Sequence, residues 1–270
     1  MFDSTDYTPP DFAFPVFEPG WVWLTGAGPG DPGLLTLHAL HALRGADAVL
    51  YDALIDRRTL AMARPEAEQI YVGKRGGRRS CKQEDICALM VEQAKLGKRV
   101  LRLKGGDPMV FGRGAEEAQA LSEATVPFRV IPGVSAGLGG LAYAGIPLTA
   151  RGINEAVTFV TGHDIHGKVP EQINWDALAK GAPVLVLFMA LRNLHDIVPR
   201  LLAGGRQPAE RVAIVRAATT PDQQVTETTL GECVAVAAGI EPPALVVIGE
   251  VVRLRPLLNR VGALTGAAAP

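Results

Sequence analysis

The sequence predicts an α/β protein made of two halves, and three observations support this prediction. Short apolar runs alternate with segments of helical spacing, a pattern typical of a parallel sheet covered by helices. Glycine-rich loops follow several of these runs, which places the loops together at one edge of a sheet. A glycine-rich stretch at 133–150 separates two regions of similar pattern. The cleft between the halves is therefore the natural site for a ligand.

The first half alternates strands and helices through short connections. Leu34, Leu37 and Leu40 recur at helical spacing after the first strand and its loop. We expect strands at 22–25, 48–51, 69–72, 99–103 and 128–131, and helices at 34–43, 83–96 and 115–124.

The second half repeats this style without repeating the sequence. We expect strands at 156–161, 184–189, 212–216 and 244–248, and helices at 194–202 and 229–238. The predicted division is a flexible arm at 1–20, domains at 21–133 and 134–255, and a loose tail at 256–270. The arm is rich in aromatic residues, so the alternative is that it docks on the body of the protein or on a partner subunit.

Composition limits the classes of function. The 270 residues carry 27 basic and 28 acidic side chains, a net charge of −1, which argues against binding long nucleic acid by bulk charge. Three cysteines without a Cys-x-x-Cys motif exclude a four-cysteine metal site and favour a reducing cytoplasm. The first 18 residues lack Lys and Arg, unlike a signal peptide. The uncharged stretch 130–150 contains glycines and prolines, so we expect a buried loop and helix there and no membrane span.

The first loop, at 26–33, matches G-x-G-x-x-G when counted from its second glycine, and Asp52 lies 19 residues after its last glycine. Alone, this pattern indicates a dinucleotide site. Asp31, however, places a carboxylate where a pyrophosphate would lie, and Pro29 and Pro32 remove backbone N–H donors. The loop therefore favours a ligand without phosphates, such as a cationic one, unless it is only a tight turn.

Two further loops carry candidate ligand groups. The segment 74–82 holds five cationic residues, which is typical of a clamp for a polyanion or of a solvated surface loop. In 104–114, Gly105 and Gly106 allow a ligand to approach the backbone closely, while Asp107 could accept from a ribose hydroxyl or cap a turn. The small residues at 133–137 suit either ligand contact or close packing.

Metal and covalent chemistry find little support. His163 and His166 flank Asp164, but no third strong ligand is indicated nearby, so we expect no metal. No nucleophile elbow occurs, and Cys87 lacks a neighbouring histidine.

Taken together, the motifs resemble those of the tetrapyrrole (class III) methyltransferases, and among these the uroporphyrinogen-III C-methyltransferase family. The resemblance covers about residues 20–255 and rests on many motifs in the same order. These motifs are 26–37, 51–54, 73–75, 102–108, 110–114, 132–136, 161–163, 189–190, 217–219 and 243–244.

The resemblance implies two α/β domains with mainly parallel or mixed sheets and S-adenosyl-L-methionine in the cleft between them. It implies methylation of uroporphyrinogen III at positions C2 and C7, giving precorrin-2 through precorrin-1 for sirohaem or cobalamin synthesis, with S-adenosyl-L-homocysteine as the second product. It also implies a cytoplasmic homodimer without metal, membrane or nucleic-acid partner. No oxidase or ferrochelatase domain precedes the match, as expected for the stand-alone form.

The resemblance also assigns residues to roles. Asp52 matches the proposed proton acceptor and Lys74 the proposed proton donor. The cofactor contacts fall on Pro29, Gly105, Gly106, Asp107, Val110, Ser135, Ala136, Met189, Ala218 and Ala244. The basic residues expected to bind the substrate carboxylates are Arg75, Arg78, Arg79, Lys104 and Arg113.

Three departures from the family pattern affect local fit. Ala115 replaces a glycine, Met109 a phenylalanine and Ala150 a histidine. The chemistry of the loops agrees with the resemblance. The donor is a sulfonium cation without phosphate, which suits the first loop, and the acceptor carries eight carboxylates, which suit the basic segment 74–82. Such an enzyme needs alignment of the reacting atoms and a proton acceptor, and no covalent residue.

Other functions remain open at this stage. A methyltransferase of the same fold could act on a later corrinoid precursor or on a protein. An NAD-dependent oxidoreductase could use Gly28, Gly30 and Gly33. A tetrapyrrole carrier or an RNA-binding protein could use the cations at 74–82 without catalysis, although the near-neutral net charge disfavours RNA.

Overall fold

A parallel five-stranded sheet forms the first half of the chain. The computed structural model describes residues 13–73 and 82–259. The sheet has the order β3-β2-β4-β1-β5, and all of its strand pairs are parallel. Its strands are β1 (Val22–Gly26), β2 (Ala48–Tyr51), β3 (Glu68–Tyr71), β4 (Val100–Lys104) and β5 (Phe128–Ile131).

Helices cover both faces of this sheet. One face packs on α1 (Leu37–Gly45) and α2 (Arg57–Leu60), the other on α3 (Gln83–Lys95) and α4 (Gly114–Glu123). The connections that leave β1 and β4, which are neighbours, therefore turn to opposite faces. Such a switch point opens the sheet edge to ligands beyond the strand ends.

The second half holds a mixed five-stranded sheet with the order β6-β7-β10-β8-β9. Only β6 and β7 pair in parallel, and the other pairs are antiparallel. The strands are β6 (Thr158–Thr161), β7 (Leu185–Phe188), β8 (Arg211–Arg216), β9 (Gln224–Thr229) and β10 (Ala244–Ile248). The helices are α5 (Leu141–Tyr143), α6 (Trp175–Gly181), α7 (Leu194–Ala203), α8 (Cys233–Ala237) and α9 (Arg255–Leu258).

These sheets confirm the predicted α/β class with parallel and mixed strands. The sequence prediction missed β9, a polar edge strand whose threonines and glutamate resemble a loop. Because β9 ends at Thr229, the helix predicted at 229–238 is wrong at its start, and α8 begins at Cys233. The prediction also omitted α6, whose first turn is capped by the side-chain oxygen Oδ1 of Asn174, which accepts from the Ala177 N–H at 3.0 Å.

The glycine-rich stretch 130–150 forms a π-helical turn, Ala136–Gly140, followed directly by α5. Leu141, Ala144 and Ile146 pack against the second sheet, on the face formed by buried residues of β7, β8 and β10. The segment is thus the buried loop and helix that its composition predicts. In the described ranges, no helix is long and apolar enough to cross a membrane.

The end of the predicted flexible arm packs on the first domain. Phe17 is buried and stacks on Trp23 with ring centroids 4.4 Å apart. Phe14 stacks on His41 at 4.6 Å, and His41 Nε2 lies 3.2 Å from the Pro15 carbonyl oxygen. The docking interpretation therefore holds for these residues, while residues 1–12 lie outside the described ranges. At the other end, α9 occupies the start of the predicted tail, and 260–270 also lie outside.

Candidate active site

Three loops of the first sheet meet where its strands end. Gly28 and Gly106, after β1 and β4, exchange backbone hydrogen bonds of 3.2 and 2.7 Å. A Cβ added to Gly133, after β5, would lie 2.2 Å from the Gly106 carbonyl oxygen and 2.7 Å from Gly26 Cα. Only glycine permits such a close approach of one backbone to another. The glycines therefore bring the backbones of all three loops to one point.

Asp107 fastens two of these loops together. Its Oδ1 accepts from the Met109 N–H at 2.8 Å, and its Oδ2 accepts from the Gly133 N–H at 3.0 Å. The sequence left open a turn cap or a ribose contact for this residue. The structure shows the turn cap and adds a second bond to the loop after β5. A carboxylate oxygen has a further lone pair, so a ligand contact is compatible with both bonds.

Asp31 connects the first loop to the second half of the chain. Its Oδ2 accepts from the Tyr143 hydroxyl at 2.9 Å, and its N–H donates to Thr219 Oγ1 at 3.0 Å. Its Oδ1 accepts from the Gly33 N–H at 2.8 Å. The carboxylate expected to repel phosphate therefore also serves as a bridge between the halves.

Aromatic residues and residues with a strained backbone form the rim of the site and connect it to the second half of the chain. Phe111, after β4, lies 5.0 Å from Phe188 at the end of β7 by ring centroids, and Phe188 also packs against Gly137. In the described part of the chain, five of the six non-glycine residues with positive φ occupy the loops after β4, β7 and β8. Such strain is typical of functional loops. The five are Phe111, Arg113, Met189, Ala217 and Thr219.

A buried ionic cluster lies under the ends of β2 and β4. Arg102 Nη2 donates to Asp52 Oδ1 at 2.7 Å, and Arg102 Nε donates to Glu117 Oε1 at 3.0 Å. Lys104 Nζ and Gln83 Nε2 donate to the same Glu117 oxygen at 2.8 and 3.0 Å. The side chains of Arg102, Lys104 and Glu117 are almost fully buried, whereas Asp52 is 29% exposed.

The sequence interpretation missed Arg102 and Glu117 as parts of the site. Arg102 and Lys104 are two residues apart in β4 and therefore lie on the same face of the strand. Glu117 lies in the first turn of α4. Charged residues inside an otherwise apolar strand were the available signal, since such residues are rarely buried without partners.

Lys104 does not lie where a substrate would reach it. Its side chain is 4% exposed, and its ammonium faces Glu117. Burial, together with the neighbouring Arg102, lowers the pKa of Lys104. Arg113, by contrast, is 44% exposed and forms a bidentate pair with Glu116.

The structure brings several of the predicted cofactor residues close to one another. Gly106 faces the backbone of Ser135 and Ala136, and Gly140 packs against Ala218. Pro29 lies against Gly139 of the π-helical turn, and Gly105 lies against Leu54. Met189 follows Phe188, Val110 belongs to the Asp107 loop, and Ala244 pairs with Arg216 beside Ala218. The predicted Lys74, Arg75, Arg78 and Arg79 lie outside the described residues.

In the described ranges, no group of three or more His, Cys, Asp or Glu side chains is arranged to hold an ion.

Comparison with known proteins identifies the family. Residues 22–234 match the model of the Tetrapyrrole (Corrin/Porphyrin) Methylases. The chain belongs to this family and is a methyltransferase. It is 59% identical over 254 residues to a uroporphyrinogen-III C-methyltransferase of Sinorhizobium sp, covering 93% of this chain and 91% of that one.

Longer relatives contain the same unit. The chain is 47% identical over 246 residues to siroheme synthase 2 of Aeromonas hydrophila. That match covers 91% of this chain but 52% of the synthase, so the chain spans about half the length of this relative.

Solved structures share the fold. A uroporphyrin-III C-methyltransferase from Thermus thermophilus, complexed with S-adenosyl homocysteine, is 43% identical with a TM-score of 0.76. The match covers 86% of this chain and 99% of that one. A cobalt precorrin-4 methyltransferase of cobalamin biosynthesis, 28% identical, also has a TM-score of 0.76 and covers 86% and 95% of the two chains.

Proposed function

We propose that this protein methylates uroporphyrinogen III at C2 and then C7, using S-adenosyl-L-methionine, and forms precorrin-2 through precorrin-1. The observation that carries the proposal is the convergence of the loops after β1, β4 and β5 with Ala218 and Phe188 of the second half. The 59% identical relative bears the name of this activity. A role in the sirohaem branch follows from the similarity to siroheme synthases.

The described loops suit a donor without phosphates. Two cations next to the Gly105–Gly106 turn, Arg102 and Lys104, are buried and neutralised by Glu117 and Asp52. Because both cations are already paired, neither of them is available to bind a pyrophosphate. Apolar side chains, including Met109, Phe111 and Met189, are exposed at the rim and would contact a nucleoside.

The residues proposed to hold the donor are those of the converging loops. When bound, S-adenosyl-L-methionine supplies an electrophilic methyl group on a positively charged sulfur. Pro29, Ser135, Ala136 and Ala218 would form its walls, and the backbone of Gly105 and Gly106 would approach it closely. Their main contribution is to align the substrate carbon with the methyl group, a positioning effect.

Asp52 is the proposed proton acceptor. Methylation of a pyrrole carbon leaves the macrocycle with one proton to lose. The bond from Arg102 fixes Oδ1, and among the described residues no hydrogen bond is made to Oδ2, which is the oxygen suited to accept that proton. Lys74 is the proposed proton donor, and Arg75, Arg78, Arg79 and Arg113 are proposed to bind the substrate carboxylates.

The test is an anaerobic incubation with methyl-labelled donor and uroporphyrinogen III. We expect two labelled methyl groups per macrocycle, located by NMR at C2 and C7. Well-folded protein that binds S-adenosyl-L-homocysteine but methylates no tetrapyrrole would refute the substrate assignment. Light scattering on the same sample tests the homodimer that the family resemblance implies.

The proton roles are tested separately. Asp52→Ala and Lys74→Ala should each lower kcat by about a hundredfold or more, with donor affinity nearly unchanged. Asp176→Ala, an exposed acid on α6, is the matched control and should retain full activity. Unchanged turnover in the two site variants would reject these roles.

A further inference from the structure

Two Arg–Asp pairs join the same two strands, one at each end. At the amino end, Arg99 before β4 donates to both oxygens of Asp47 before β2, each at 2.9 Å. At the carboxyl end, Arg102 of β4 donates to Asp52 after β2 at 2.7 Å. The first pair is about one-third exposed, whereas Arg102 is 2% exposed. The two pairs therefore share residue types and strands but differ in burial and in their distance from the site.

Arg102 uses every nitrogen of its guanidinium. Nε donates to Glu117, Nη2 to Asp52, and Nη1 to the carbonyl oxygens of Leu50 and Leu103 at 3.4 and 3.3 Å. The planar fork thus has one orientation fixed by β2, β4 and α4 together. An ammonium carries the same charge but cannot span these directions.

Charge balance alone does not require this arrangement. Lys104 donates to the same Glu117 oxygen and already neutralises that buried carboxylate. Buried ion pairs contribute little net stability, because desolvation offsets their attraction. The additional contact that Arg102 makes is to Asp52, whose side chain is 29% exposed at the edge where the site loops converge.

We propose that Arg102 is a positioning residue for the methylation reaction: anchored by buried Glu117, it holds the Asp52 carboxylate in the orientation that accepts the substrate proton. This inference rests on the proposed function. In this proposal Arg102 contacts neither the donor nor the macrocycle. Arg102 therefore acts only through Asp52.

Gln83 uses the same anchor as Arg102. Its amide donates to Glu117 at 3.0 Å, and it is the first residue of α3, next to the end of segment 74–82. Glu117 is thus a common attachment point for Asp52, through Arg102, and for the first residue of α3.

The decisive variant is Arg102→Lys, measured in the anaerobic methylation assay. It keeps the positive charge, so a purely charge-balancing role predicts activity close to that of the unmodified protein. The positioning role predicts a kcat lower by about tenfold or more. The dissociation constant of S-adenosyl-L-homocysteine, measured by calorimetry, should stay within about twofold.

A double-variant cycle shows whether Arg102 acts through Asp52. In the Asp52→Asn background, Arg102→Lys should change kcat by less than about twofold, because the carboxylate it orients is already gone. Full multiplication of the two single effects would overturn the proposal. So would a loss of donor affinity with kcat preserved.

The matched control is Arg99→Lys, the same substitution at the amino end of the same strands. We expect its kcat to equal that of the unmodified protein. If Arg102→Lys fails to fold, Glu117→Gln takes its place, since it keeps the shape of the side chain and weakens the hydrogen bonds that Oε1 accepts from Arg102, Lys104 and Gln83. A normal kcat in folded Glu117→Gln would then overturn the inference. An inactive unmodified protein would instead refute the proposed function.

Discussion

Glycines at the loop junction are fixed by contact with backbone atoms. Gly26 ends β1, whereas Gly106 and Gly133 lie in the loops after β4 and β5, yet a side chain on Gly26 or Gly133 would overlap the backbone of the other two. A flexible side chain could move aside, but a carbonyl oxygen held by its own sheet cannot. The junction is therefore the least tolerant part of the candidate site.

Gly133→Ala should destabilise the protein by about 1–3 kcal/mol, because the new methyl group would lie 2.2 Å from the Gly106 carbonyl oxygen. The shifted loop should also weaken S-adenosyl-L-homocysteine binding. Urea denaturation and calorimetry measure the two effects. Gly239→Ala, where no atom lies within 4 Å of the new Cβ, is the control and should change neither. Equal behaviour of the two variants would contradict the packing argument.

Individual site residues were predictable in type but not always in role. Gly106, Ser135 and Ala218 converge as their motifs suggest, since a motif is a local pattern that fixes local backbone. Lys104 belongs to a motif too, but its buried ammonium faces Glu117, which is 13 residues away in sequence. Nothing in the residues around Lys104 indicates that partner.

At the level of elements, strands with apolar runs were the most predictable. The bounds of β2, β5 and β10 match the prediction, because apolar residues, several of them β-branched, mark these strands in the sequence. Polar β9 was missed, because an edge strand is stabilised by its neighbour β8 rather than by burying its own side chains.

The pairing of β2 with β4 provides a pH-dependent prediction. Arg99 holds the pKa of Asp47 at about 2, below its usual value of 3.8, through hydrogen bonds and charge. The pair therefore stabilises the protein fully above pH 3.8, and this contribution disappears as the pH falls towards 2. After solvent screening it amounts to about 1 kcal/mol.

Asp47→Asn should accordingly lower the Tm at pH 6, and the difference from the unmodified protein should shrink as the pH approaches 2. Calorimetric scans across this range measure the effect. Asp176→Asn, which removes an exposed pair with Lys180 on α6, should change the Tm little at pH 6. A difference for Asp47→Asn that grows on acidification would contradict the assignment.

At the level of the whole molecule, a closed ring of hydrogen bonds joins the two halves. Asp31 accepts from the Tyr143 hydroxyl and donates to Thr219, whose N–H donates to Gln223 Oε1 at 2.7 Å. Gln223 closes the ring by donating to the Tyr143 carbonyl oxygen at 3.2 Å. The ring places the loop after β1 against the loop after β8, next to the proposed donor contacts.

Tyr143→Phe should weaken S-adenosyl-L-homocysteine binding by about tenfold, the equivalent of one hydrogen bond to a carboxylate. Burial and Asp31 raise the pKa of the Tyr143 phenol above 10.0, so it remains a donor across the assay range. Calorimetry measures the affinity. Thr228→Val serves as the control, because its buried hydroxyl has no partner among the described residues. Equal affinity in both variants would show that the ring does not set the donor site.

The sequence alone determined the α/β class, the positions of most strands along the chain, the glycine loops and the family, because these depend on local composition and spacing. The tertiary structure decided which groups face one another: the Glu117 cluster, the Asp31–Tyr143 bridge and the mixed pairing of the second sheet. Burial and charge pairing depend on residues brought together from distant positions, and a one-dimensional pattern does not contain those distances.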